Sequence, residues 1–286
     1  MTPPRIGFLL PHYHQPSTSY MQAAMRTLAG WGVSVAVIHP PDRAVDLSTV
    51  RVAHDLYVLQ KISGLATSIA GVLHGQGAAI VNPYPVTMAL RDKIVTARIL
   101  QAAGVPTPAT YVARRLEQLA PLLDGGPLIV KPCQGTEGFG VRIVRNPAEL
   151  AAVPAGKDPL FAQRYHPPQG RDRKIYSIGD RLFGVKKIFP ARTEEEKHGE
   201  PFTPPPELCE IARRCGQAFG IDLYGVDIIE SDGKPYVVDM STMPGFKGVP
   251  DAPLLLASYL YKAAKRAAGK PAAAPTMAAE HSVHNG

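Results

Sequence analysis

Hydrophobic and polar positions along the chain follow two regimes. In the first stretch, short apolar runs alternate with segments of helical period. "RIGFLL", "VSVAVIHP", "HDLYVLQKI" and "AAIVNP" read as strands, and "SYMQAAMRTLAGWG" and "LATSIAGVLHG" as helices. Strand and helix in alternation predict a small parallel sheet with helices on its faces. The turn after the first strand, "PHYHQPSTSY", carries no GxGxxG, so a Rossmann-type dinucleotide site is not expected there.

The second regime begins with a helical pattern from about Val86 to Ala103, read as one long helix closed by Gly104. "VPTPATYV" is extended, as its prolines demand. "GPLIVKP" and "GVRIVRN" are strands joined by a glycine-rich loop, "NPAELAAV" is a short helix, and "PLFAQRY" is a strand. "RKIYSI" and "RLFGVKKI" flank Gly179-Asp180, a hairpin signal. A proline-rich connector leads to the helix "ELCEIARRCGQAFG". "YGVDIIE" and "PYVVDM" follow, joined by Ser231-Asp232-Gly233, and then the last helix, "PLLLASYLYKAAKRAAG". The Ala/Pro-rich tail from about Lys270 has little to bury, and disorder is expected of it.

Composition narrows the class. The 286 residues are 45% hydrophobic and 19% charged, the balance of a globular protein with a real core. No apolar run reaches membrane-spanning length, and "RIGFLLPHYHQP" is interrupted too early for a signal peptide. Cys133, Cys209 and Cys215 form no CxxC pair, which predicts a reduced, cytoplasmic protein without structural disulfides. The net charge of +7 favours an anionic partner. No aromatic and basic stripe is present, so a nucleic acid is not the partner expected.

Several residues could carry chemistry. In "KPCQGTEGFGV", Gly135, Gly138 and Gly140 permit tight turns that bring backbone N–H groups to a phosphate. The loop runs on into a strand, unlike a Walker loop. It is either a flap over a polyphosphate or an ordinary glycine-rich hairpin. Lys131 ends an apolar strand beside it, placed for phosphate oxygens or for snorkelling to solvent. Lys93 offers a second positive charge. Asp227 and Asp239 end "YGVD" and "YVVD" on two strands joined by a short turn, so they can lie side by side. Adjacent carboxylates repel unless a cation or proton lies between them, and magnesium suits such oxygens. The alternative is two edge-strand aspartates facing solvent. His12 and His14, after the first strand, and Arg192 and His198, in the connector, are candidates for substrate contact or plain surface residues. Cys133 reads as a packing residue.

The order of these motifs resembles the ATP-grasp superfamily: an Asp-Lys helix, "VKP", a glycine flap, a Gln-containing strand, "GVD", then "VVDMS…PGF". The resemblance runs from about Arg91 to Lys262. It implies an ATP-grasp fold of mixed α/β and α+β class. An N-terminal parallel α/β domain (1–90) would precede a central lid (91–165) and a C-terminal domain with an antiparallel sheet (166–268), with the tail at 269–286. It also implies ATP and Mg2+ as cofactors, with Mn2+ as a substitute. Lys93 and Lys131 would hold the nucleotide phosphates, and the flap Gln134, Gly135, Thr136, Gly138 and Gly140 would cover the triphosphate. Gln163, Arg164 and Tyr165 match the hinge strand that reads adenine, with Arg164 where an acidic residue is usual. Asp172 would lie near the ribose. Lys174 and Lys187 stand where arginines are common, Lys187 toward the transferred phosphoryl group. Asp227, Asp239 and Ser241 would hold the metal, Ser241 replacing the usual asparagine.

Within the superfamily the layout is similar to RimK-type carboxylate–amine ligases, which work through an acyl phosphate, although the connector "PARTEEEKHGEPFTPPP" lacks their SN…RGG segment. "KIYSIGDRLFGVKK" and "VVDMSTMPGFKGVPDAPLLL" also resemble inositol polyphosphate kinases. A ligase is the first expectation. A small-molecule kinase is the alternative, and a non-catalytic nucleotide-binding module is the third. The partner implied is a small-molecule or peptide substrate, anionic in character; neither nucleic acid nor membrane is expected, and a homo-oligomer is left open.

Overall fold

The structure, a computed structural model, describes residues 2–10, 20–39, 44–60, 64–133, 140–154, 159–188 and 193–269. His12, His14, Gln134, Gly135, Thr136, Gly138, Arg192 and the tail beyond Gly269 lie outside the described residues. The chain divides into two compact units. One comprises the residues up to Tyr84 with those from Leu256 onward, and the other runs from Pro85 to Leu255.

The first unit holds a parallel four-stranded sheet in the order β2-β1-β3-β4, from β1 (Arg5–Leu9), β2 (Ser34–Ile38), β3 (Leu56–Leu59) and β4 (Ile80–Val81). Its helices are α1 (Tyr20–Gly30) and α2 (Gly64–Gly75). The short apolar runs are explained by burial: all four residues of β3 are buried. Leu9, Tyr57, Leu59, Ala70 and Leu73 pack together as its core.

The second unit departs from the sequence reading at its start. The pattern from Val86 to Ala103 is not one helix but two, α3 (Tyr84–Arg91) and α4 (Lys93–Ala102). Asp92 separates them in an extended conformation, and its carboxylate accepts the amides of Ile94 at 2.8 Å and Val95 at 3.2 Å. A short acidic side chain satisfies the orphan donors of a helix start and so begins a new helix. The break makes Lys93 the first residue of α4, and its backbone N–H donates to the Cys133 carbonyl at 3.3 Å.

Two antiparallel sheets follow. The four-stranded one has the order β5-β8-β6-β7, from β5 (Thr110–Ala113), β6 (Leu128–Pro132), β7 (Arg142–Val144) and β8 (Leu160–Arg164). Helix α5 (Pro147–Ala151) and a 3-10 helix over Leu116–Gly125 cover it. The five-stranded one has the order β11-β10-β9-β12-β13. Its strands are β9 (Asp172–Ile178), β10 (Arg181–Lys187), β11 (Glu200–Phe202), β12 (Leu223–Ser231) and β13 (Lys234–Ser241). The proline-rich connector contains two elements with no counterpart in the sequence reading, α6 (Glu194–His198) and β11.

Helix α7 (Pro206–Phe219) explains one face of that sheet. Its buried Leu208, Ile211, Ala212, Cys215 and Phe219 recur at helical spacing and pack on Ile175, Val226, Ile228, Val237 and Met240. It ends at Gly220, whose φ of +63° is left-handed backbone that favours glycine. The last helix, α8 (Ala252–Ala268), runs past Leu256 into the first unit.

Candidate active site

The second face of the five-stranded sheet carries charge. Strand periodicity puts Asp172, Lys174 and Tyr176 of β9 on it, opposite Lys187, Val185 and Phe183 of β10. Across β12, Lys174 lies opposite Asp227, and Asp227 opposite Asp239. Ser241 is two residues further along β13, opposite Gly225.

A β-bulge creates this row. Asp227 pairs with Asp239, but the next pair is Ile228 with Val237, so Val238 is the extra residue. Were Val237, Val238 and Asp239 to alternate regularly, Val237 and Asp239 would share a face. The bulge instead lets Val237 join the apolar core while Asp239 turns the other way. The bulge is held on both sides: the Val237 amide donates to the Pro106 carbonyl at 2.8 Å, and the Val238 carbonyl accepts from Lys131 Nζ at 3.4 Å.

Charge is unevenly balanced along the row. Lys174 Nζ lies 2.7 Å from Oδ1 and 2.9 Å from Oδ2 of Asp227. Burial alone would push the Lys174 ammonium down; the Asp227 carboxylate, with Tyr176 and Asp239 beyond it, outweighs burial and holds it above its usual value. Asp239 is reachable by solvent but deep among protein atoms. Burial, then the Asp227 charge, push its carboxyl up against the pull of Lys174, Lys131 and Lys93. Burial and Asp227 likewise raise Asp172 to about 6. Burial and the neighbouring Lys174 lower Lys187 to about 8.

The residues expected to meet a nucleotide come from the other sheet and from α4. Lys131, on β6, donates to Gln163 Oε1 at 2.8 Å. Burial lowers its pKa, with Lys93 acting in the same direction and Asp239 and Asp227 opposing. Lys93, Gln163, Val238 and Asp239 line one cavity of about 20 Å3 with Leu100 and Phe161, room for a single water. The sequence-predicted Lys93, Lys131, Gln163 and Asp239 are thus brought together, and Asp227, Lys174, Asp172, Lys187 and Ser241 share the sheet face beside them.

Other predicted residues are placed differently. Arg164 turns its guanidinium to backbone carbonyls at the end of the 3-10 helix, donating to Leu122 at 2.9 Å and also to Gly126. Its side chain caps that helix end. The backbone amides of Arg164 and Tyr165 donate to Ala109 and Pro127. Lys187 Nζ donates to the carbonyls of His198 at 3.2 Å and Lys247 at 3.1 Å, pinning two loops together. Gly140 has φ +76°, and a Cβ there would come within 2.8 Å of Pro132. Three residues at the site carry no sequence signal: Thr110, which contacts Gln163, Val238 at the bulge, and His166, which stacks on Tyr236 with ring centroids 4.0 Å apart.

The donor set fits a hard divalent cation. Two carboxylates and a hydroxyl share one sheet face, and a cation there would offset both the burial and the Asp227 charge that push the Asp239 carboxyl up. Among the described residues, no cluster of three or more His, Cys, Asp or Glu forms a complete protein cage. Magnesium takes few carboxylates and keeps water and phosphate oxygens as its remaining ligands. Lys93 and Lys131, close enough to influence one another, supply the positive charge that a polyphosphate needs.

Three sheets, one parallel and two antiparallel, with a carboxylate row on the last of them, define an ATP-grasp protein. A solved RimK-domain ATP-grasp protein from Sphaerobacter thermophilus superposes with a TM-score of 0.74 at 18% identity, covering 90% of this chain and 98% of that one. Residues 90–254 match the RimK-like ATP-grasp domain, and the chain belongs to that family. A "Probable alpha-L-glutamate ligase 2" of Shewanella frigidimarina is 30% identical over 176 residues, covering 57% of this chain and 59% of that protein. A "Probable alpha-L-glutamate ligase" of Citrobacter koseri is 26% identical over 231 residues, 74% of this chain and 77% of its own length. This chain therefore matches about three fifths of the first relative's length. No helix among the described residues is long and apolar enough to cross a membrane.

Proposed function

We propose that this chain is an ATP-dependent carboxylate–amine ligase that uses magnesium. The observation that supports it most directly is the Lys174–Asp227–Asp239 row beside Lys93 and Lys131, in a chain of the RimK-like family. Lys93 and Lys131 would neutralise nucleotide phosphate. Asp227, Asp239 and Ser241 would hold magnesium, which when bound offsets the charge of the phosphates. Lys174 pairs with Asp227 and would orient it. Lys187, lowered to about 8, stands at the far side of the same face, where an acceptor carboxylate would meet the phosphoryl group. With the amides of Arg164 and Tyr165 already engaged, a backbone carbonyl after β8 would accept from an adenine amino group, and Asp172 would lie near the ribose.

In such a site the chain's work is positioning and electrostatics. A carboxylate oxygen attacks the terminal phosphorus, ADP leaves, and the acyl phosphate is attacked by an amine nitrogen with loss of a proton and release of phosphate. Water must be kept out during the second step. Relatives named as ligases favour this reading over phosphoryl transfer to a hydroxyl. An anionic acceptor, Mn2+ as substitute metal, a cytoplasmic location, self-association, and the division into domains at residues 90 and 165 belong to the same proposal.

The test supplies labelled ATP with a panel of carboxylates, amines, short peptides and inositol phosphates. Inorganic phosphate released only when both a carboxylate and an amine are present supports the ligase. Label retained in a phosphate ester with no amine requirement overturns it in favour of a kinase. ATP binding without turnover on any substrate pair would favour the non-catalytic module.

A further inference from the structure

We infer that Gln163 and Thr110 are positioning residues that aim the Lys131 ammonium, and that Gln163 does not read the nucleotide base. The inference rests on the reading of Lys131 as a phosphate ligand. Gln163 is only 5% exposed, and both ends of its amide are engaged. Oε1 accepts from Lys131 Nζ at 2.8 Å, and Nε2 donates to Thr110 Oγ1 at 3.2 Å.

The direction of this chain of hydrogen bonds is fixed by its far end. Thr110 Oγ1 lies 2.9 Å from the Pro108 carbonyl, which can only accept, so the single hydroxyl proton goes there. Toward Gln163 the hydroxyl is then an acceptor, which requires the NH2 group of the amide to face it. The amide oxygen must face Lys131, and an ammonium can only donate. One threonine hydroxyl thereby decides which way a buried amide points. An amide turned the other way would set its NH2 against the ammonium.

The other end of the chain reaches the metal-side strand. Lys131 also donates to Val238 O at 3.4 Å, at the bulge that turns Asp239 toward the site. Pro108, Thr110, Gln163, Lys131 and Val238 thus link β5, β8 and β6 of one sheet to β13 of the other. A lysine has four rotatable side-chain bonds and would otherwise sample many positions. Two acceptors set by the protein hold this one beside Lys93 and Asp239. The hydrogen bonds of the Thr110 hydroxyl run to Pro108 and Gln163, so an effect of its replacement on nucleotide would pass through Gln163.

The test measures MgATP affinity of the full chain by calorimetry, with the thermal midpoint as a control. Thr110→Val keeps the shape and removes the acceptor, leaving Nε2 unsatisfied and the amide free to turn. It should weaken MgATP about tenfold, the effect of losing roughly 1.4 kcal/mol. Thr110→Ser restores the hydroxyl and should bind within about threefold of wild type. Gln163→Leu should weaken binding at least as much as Thr110→Val. A purely structural role would lower the thermal midpoint and leave the affinity of the folded protein unmoved. If Thr110→Val fails to fold, Thr110→Ala, which leaves space rather than a methyl group, takes its place. Wild-type affinity in the valine or alanine variant, with affinity lost in Lys131→Ala, overturns the positioning role alone. Unchanged affinity in Lys131→Ala overturns the phosphate reading, and the positioning role falls with it.

Discussion

The two faces of β12 and β13 are built from adjacent residues and have opposite chemistry. Val226, Ile228, Val237 and Met240 face α7 and are almost wholly buried. Asp227, Asp239 and Ser241 face the other way, with Lys174 beside them. The apolar face gains from every contact it makes. The charged face keeps two neighbouring carboxylates, one of which it holds above its ordinary pKa. One sheet therefore carries stability on one side and stored electrostatic conflict on the other, and a nucleotide-bound cation would use the conflict. The separation is set by the register at the bulge, where Val238 is the extra residue.

The largest break in this comparison is to put a charge on the apolar face with Val237→Asp. Val237 is 1% exposed and packs with Ile228 and α7. A carboxylate pressed against them is without a partner, and the expected loss is about 5 kcal/mol or more. Urea denaturation reads it directly. A variant with wild-type stability would show that the apolar face accepts charge and that the register at the bulge does not sort the faces.

Next is the charged face alone. Asp239→Asn keeps size and removes charge, so it should cost turnover roughly 10²–10³-fold, the scale of losing one electrostatic contact in an active site. Stability should hold or rise, because Asp227 loses a like-charged neighbour. A variant that turns over normally at every magnesium concentration would place the metal elsewhere. The complementary change on the apolar face is Ile228→Ala, at a position with no exposure. It should cost about 3 kcal/mol of stability, with MgATP affinity of the folded protein unchanged. Loss of affinity out of proportion to stability would mean that the two faces are coupled.

The contrast also shows which features could be read from the sequence. The alternation of β12 is plain in "YGVDIIE", because Val226 and Ile228 flank Asp227 at period two. The parallel first sheet, the hairpin at Gly179-Asp180 and α7 follow from equally local patterns. The bulge does not: "YVVD" offers two valines before the carboxylate, and only pairing with Asp227 decides which valine is buried. The same limit hid the break at Asp92, where a capping carboxylate interrupts an otherwise continuous helical pattern. It also hid the Lys187 and Arg164 contacts, whose acceptors are backbone carbonyls that any sequence would provide. Carboxylates and lysines could be named from residue type and order, but the groups that orient them are set by tertiary register.

The smallest effect tests whether the conflict extends to the edge of the charged face. Asp172 is raised to about 6 by burial and by Asp227, with Lys174 and Arg173 opposing. In the unfolded chain the same carboxyl titrates near about 4. Between those values the folded protein keeps a proton that the unfolded chain has released. The contribution of this one group to stability is thus greatest below about pH 4, falls as pH rises toward 6, and stays lower above it. This is opposite in sign to an aspartate stabilised by a salt bridge. Asp172→Asn removes the dependence. In metal-free buffer it should be more stable than wild type at pH 7.5 by about 1 kcal/mol, after allowance for the solvent that reaches this half-buried group. The gain should vanish near pH 4. Urea midpoints at the two pH values measure it. An equal gain at both would mean that the charge on Asp172 is already balanced, and that the conflict is confined to the Asp227–Asp239 pair.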